Sequence, residues 1–165
     1  MKYTHNVGLW IGTVTVLFGS AVLVQAAPSI TKTGDESKKV SQLFRDIRAD
    51  AIQVRSAATR LDSLTKNSGA KWLDYDRQWN EVKPAVEDMQ MKLARLEAMQ
   101  AAISPAERKQ LDQSKLTIEE IQSRTHQLRT LLDKPGVQTN DARFQSYAHY
   151  LRNEAGELET TARSS

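Results

Sequence analysis

From residue 40 onward, apolar side chains recur in alternating steps of three and four. Val40, Phe44, Ile47, Ala51, Val54, Ala58 and Leu61 make the first series, with Leu43 and Leu64 beside it. An α-helix turns once every 3.6 residues, so this rhythm lines the whole series along one stripe. Thr33 and Glu36 have capping-box spacing and are expected to start that helix; Asn67-Ser68-Gly69 breaks it. A second series, Trp72, Tyr75, Trp79, Val82, Val86, Met89, Leu93 and Leu96, keeps its step straight through Pro84. Proline inside a helix removes one hydrogen bond and crowds the preceding turn. The surviving rhythm predicts one kinked helix, with two helices broken near Lys83 as the alternative.

Ser104-Pro105-Ala106-Glu107 is the strongest local signal in the chain. Serine caps, proline takes the first helical position, and glutamate reaches back from the third. The second and third helices therefore form a tight αα-hairpin. The third stripe, Leu111, Ser114, Ile118, Ile121, Thr125, Leu128 and Leu132, has Leu116 and Leu131 beside it and is the most polar seam. Asp133-Lys134-Pro135-Gly136 ends it. Thr139 or Asn140 is expected to cap a last helix with the stripe Phe144, Ala148, Leu151, Ala155, Leu158 and Ala162, flanked by Tyr147 and Tyr150. Gly156 and the small residues after it predict a C-terminal end that packs thinly or frays.

Four such stripes with short connections predict an all-α, up-down-up-down four-helix bundle with coiled-coil-like heptads over residues 35–165. An extended coiled-coil hairpin that completes its core by dimerising needs the same pattern, so a homodimer is the alternative.

Ahead of the bundle, Lys2 precedes an uncharged run from Val7 to Val24, which ends in Val24-Gln25-Ala26. A positive charge, an apolar stretch and small residues are the three parts of a secretory signal peptide. Residues 1–26 are expected to be cleaved, leaving 27–34 as a flexible leader. The run is also just long enough to span a bilayer, and Gly8 and Gly12 have GxxxG spacing, so an uncleaved membrane anchor is the rival reading. Either way the chain is expected to be exported, to the periplasm or envelope of a bacterium. With no cysteine, it has neither disulfides nor a lipid-modified N-terminus.

The sequence pI near 9.2 raises the question of nucleic acid, but basic and acidic residues mix within every helical segment. No basic stripe follows a phosphate backbone, so nucleic acid is not an expected partner. There is no thiol, no serine elbow, no Gly-rich phosphate loop and no haem-attachment motif. Enzymatic activity is not expected, nor is a cofactor.

Alternating helix directions bring the start of the second helix, the end of the third and the start of the fourth to one end. That end collects Trp72, Tyr75, Trp79, Phe144, Tyr147 and Tyr150 together with the loops around Ser68 and Gly136. Aromatic side chains near loops make recognition surfaces. Trp72, Tyr75 and Trp79 sit in phase with the core and are expected mainly to fill it; Tyr147 and Tyr150 are the exposed pair. His126 and His149 fall in the same half, each with an arginine three residues on, Arg129 and Arg152, and they are candidate neighbours forming a small anion-binding patch. No carboxylate stands one turn from either histidine, so a metal is not expected.

Leu116-Thr117-Ile118-Glu119-Glu120 resembles the LTxxQ signature of periplasmic helical stress chaperones. Glu120 replaces the glutamine and the motif occurs once, so it assigns no family. The expected function is an exported interaction or scaffold module whose partner is another envelope protein, touching membrane only through its N-terminal segment if that is uncleaved. A holdase-like chaperone is the alternative, or a ligand-binding sensor if the leader is an anchor.

Overall fold

The computed structural model describes residues 34–134 and 141–162. Those residues form four α-helices and no strand: α1 (Gly34–Thr65), α2 (Trp72–Ala98), α3 (Pro105–Leu132) and α4 (Ala142–Thr161), with a 3-10 turn over Gln100–Ala102. The expected signal peptide, the leader and the Thr33 cap lie outside the described residues. So do Pro135, Gly136, Thr139 and Asn140.

The four stripes become one core. Every member is buried except Trp72. Cross-helix pairs give the register. Arg60 reaches Gln78 while Asp50 reaches Lys92, so α1 and α2 are antiparallel. Lys115 meets Glu97, and the Trp72 indole meets Leu132, setting α3 against α2. Gln110 bonds the Thr161 carbonyl, setting α4 against α3. Arg152 faces Asp62 while Arg55 faces Glu159, closing α4 antiparallel onto α1. Each helix thus packs beside its sequence neighbours, α1 also packs beside α4, and the diagonal pairs scarcely meet. This is the four-helix bundle arrangement.

Helix ends follow local chemistry. Ser104 Oγ accepts from the Glu107 backbone N–H at 3.3 Å, and the Glu107 carboxylate accepts from the Ser104 N–H at 2.8 Å, the reciprocal box that the sequence predicts. α4 is capped one residue later than expected: Asp141, not Thr139 or Asn140, accepts from the Arg143 N–H at 2.9 Å. α2 runs unbroken through Pro84. Pro84 is exposed, so the Asn80 carbonyl that lacks its helical donor faces water.

One expectation about the flanks changes, and so does the one about the end of α4. Leu131 joins the core, but Leu116 is 65% exposed. Leu131, about 100° off the centre of its stripe, goes in because a neighbouring helix reaches it; Leu116, two residues from both Ser114 and Ile118, points to the opposite face of α3 and meets solvent. The end of α4 does not fray before Thr161. Glu159, 8% exposed, is held by Arg55 at 2.8 Å and Arg48 at 3.7 Å, both from α1.

Candidate functional site

The end of the bundle that carries the Lys66–Lys71 loop is built in two layers. The inner one is packing. Tyr75 is 1% exposed, and its ring meets Phe144 of α4 at a centroid distance of 5.2 Å and a tilt of 50°. Trp79 is buried one turn further along α2, as its phase requires. Tyr147 is half buried against the same cluster.

Trp72 belongs to the outer layer, contrary to its phase, and is 41% exposed. It is the first helical residue of α2, so no preceding turn presses it inward. Its indole N–H instead donates to the carbonyl of Leu132 at 3.2 Å. Leu132 ends α3, where carbonyls lack helical donors. One side chain therefore caps a neighbouring helix and keeps part of its ring in solvent. Leu73, next to it, is 65% exposed.

Arg129 organises the polar rim. Its guanidinium donates to Asp133 at 2.6 and 3.0 Å on its own helix and to Asp76 of α2 at 2.9 Å. The same group lies 6.0 Å from the Trp79 ring centre. These carboxylates, Asp133 foremost, raise the Arg129 pKa above its ordinary value and hold the charge firmly. The Asp133 contact was readable as an i,i+4 pair; Asp76, on another helix, carried no such signal.

Tyr150 is 45% exposed but does not sit with Trp72. Its ring lies under Arg124 of α3, 4.5 Å away, eight residues or about 12 Å along the axis from Leu132. The six aromatics therefore separate into a packed cluster, an exposed Trp72 and a more distant Tyr150.

The two histidines are not brought together. Arg129, three residues beyond His126, reaches α2, whereas Arg152, three beyond His149, reaches Asp62 on α1 at 3.6 Å. The pairs occupy opposite flanks of the α3/α4 layer. His149 is engaged by its own helix: Arg152 donates to Nδ1 at 2.8 Å, and Asn153 meets Nε2 at 3.0 Å. Arginine never accepts, so Nδ1 is the acceptor of that bond, and Nε2 faces the side-chain amide of Asn153. Among the described residues, no group of three histidine, cysteine or acidic side chains is disposed to hold a metal, and no helix is long and apolar enough to cross a membrane. The arrangement offers exposed rings and firmly placed charges, which suit recognition.

No family model, curated protein or solved structure matches the chain.

Proposed function

We propose that the chain is an exported protein-interaction module: residues 1–26 direct it across the inner membrane as a cleaved signal peptide, and the bundle holds an envelope protein at its loop end. The observation that carries this reading is Trp72. A tryptophan fixed at one atom, next to an exposed leucine and a rim of paired charges, has the composition of an interface anchor. Its cap to Leu132 limits the ring's freedom, so docking loses little entropy there. Tyr147, Tyr150, Arg129 and the two His–Arg pairs are secondary contacts in this proposal.

Crosslinking in the native envelope followed by mass spectrometry tests it. The reading requires one dominant, stoichiometric partner whose capture falls about tenfold when Trp72 is replaced by Ala. A diffuse set of unrelated envelope proteins, enriched after stress and indifferent to Trp72, would replace it with the holdase reading.

A further inference from the structure

Far from the Trp72 end, the start of α1 and the end of α2 border an open cleft of about 450 Å³. Leu43, Ala98 and Met99 give it an apolar wall, and Lys39, Gln42 and Arg95 stand along it. Leu43 and Met99 are half buried against the core, while Lys39, Gln42 and Arg95 are exposed. Because Asp50 faces Lys92 in an antiparallel pair, Arg95 lies towards the middle of the bundle and Lys39 towards its end. The apolar wall is therefore bracketed by two cations.

Those cations differ from others at the helix seams. Lys92 reaches Asp50, Arg60 reaches Glu81, Lys115 reaches Glu97, Arg129 reaches Asp76, Arg55 reaches Glu159 and Arg152 reaches Asp62, each across to a neighbouring helix. Among the described residues, neither Lys39 nor Arg95 has a carboxylate within ion-pair distance. Asp46, one helix turn from Gln42, accepts from the Gln42 amide at 2.7 Å. The cleft thus combines an apolar wall with positive charge that no described carboxylate pairs.

We propose that this cleft binds a single-chain anionic amphiphile, a fatty carboxylate, with its chain along Leu43, Ala98 and Met99 and its head group between the charges of Lys39 and Arg95. Size selects this occupant over a peptide. The wall spans about one turn of each helix, whereas a docked helix needs anchors spread over two or more turns. A volume of 450 Å³ lies within the range of small-molecule sites, roughly 300–1,000 Å³. Met99 supplies an unbranched, adaptable surface for an alkyl chain. Met91, 53% exposed and one turn before Arg95, continues the track along α2. Charge complementarity sets the sign of the head group. The site is separate from the loop end, so this inference does not rest on the partner reading.

The test uses the chain from Ala27 onward, the form that the proposed cleavage leaves, which holds the whole compact unit Lys32–Ser165. Sodium laurate is titrated below its micelle concentration by calorimetry, and backbone amide shifts locate the site. Saturable binding that moves amides of Lys39–Leu43 and Arg95–Met99 is expected. Lys39→Glu with Arg95→Glu should weaken it about tenfold or more, and the remote exposed Lys83→Glu should not. Met99→Gln should weaken both laurate and neutral dodecyl maltoside, which the charge reversals leave unchanged. Three results would each overturn the proposal: no saturable laurate binding, binding indifferent to the two reversals and to Met99→Gln, or an acidic leucine–glutamate helical peptide displacing those amides where laurate does not.

Discussion

Two hydroxyls in the third seam show what a buried polar atom does when nothing answers it. Ser114 is fully buried and Thr125 is 5% exposed, and the Oγ of each lacks a hydrogen-bond partner. An unsatisfied buried group costs about 1–3 kcal/mol. Ser114→Ala and Thr125→Val keep the shape and remove that cost, so each is expected to raise stability by about 1 kcal/mol, read as a higher denaturation midpoint with unchanged slope. Asp50 is a harder case. It is paired with Lys92 at 2.5 Å, with side chains only 13% and 19% exposed. Desolvation outweighs Lys92 and raises the Asp50 pKa above its ordinary 3.8. A raised carboxyl favours folding below its unfolded value, and that gain is lost as pH rises through the folded value. Asp50→Asn should therefore flatten the stability profile just above pH 4. Lys92→Met alone should cost about 2 kcal/mol or more by stranding the carboxylate, and the double replacement less than that; a double-mutant cycle measures the difference. The two hydroxyls were already legible as polar members of the third stripe, but the Asp50–Lys92 pair was not, because the residues are 42 apart and nothing local relates them.

Single helices were the most legible level, and their departures share a cause. The 3-4 rhythm located all four, since burial of one face enforces it. It misplaced Trp72, which lies in phase but at a helix start, where phase no longer dictates burial. Leu116 was grouped with a stripe it does not belong to: two residues from both Ser114 and Ile118, it lies on the opposite face of α3. The cap of α4 was ambiguous because Thr139, Asn140 and Asp141 are all good caps in succession. Asp141 now carries two roles. Its bond to the Arg143 backbone fixes the helix start, and the Arg143 guanidinium holds its carboxyl down at about 2. Its contribution is present above the ordinary 3.8 and fades as pH falls towards 2. Asp141→Ala should cost about 1 kcal/mol, whereas Asp141→Asn should retain most of the cap but lose the acid dependence; thermal melts at pH 7 and pH 3 separate the two. At the far end of α4, a Cβ on Gly156 would meet Arg55 Cδ at 3.6 Å, an ordinary contact. Gly156→Ala should therefore stabilise by about 0.5–1 kcal/mol, observed as a raised melting temperature.

The molecule as a whole is built around α1. It packs extensively against both α2 and α4, whereas α2 and α3 share the thinnest of the four seams. α3 also contains the two unanswered hydroxyls. Amide exchange under native conditions should leave α1 protected longest, near the global limit, and release peptides from the middle of α3 first. Equal protection of the two helices would contradict this. Helix order and direction were readable from short connections, because a chain with no room to cross over must turn back on itself. The unequal seams were not, since they depend on which flank residues, such as Leu131, meet a neighbouring helix.

Because the directions alternate, α1 begins and α4 ends on the same side, and the two helices lie against each other antiparallel. A force applied through both ends of the chain would act across that seam like fingers parting a zipper. It would load the contacts of Glu159 with Arg55 and Arg48 first, then Arg152 with Asp62, one after another instead of all together. A bundle gripped this way yields turn by turn at low tension. The same bundle gripped at Gly34 and Ser68 would instead be pulled along the length of α1, against that helix's own backbone hydrogen bonds.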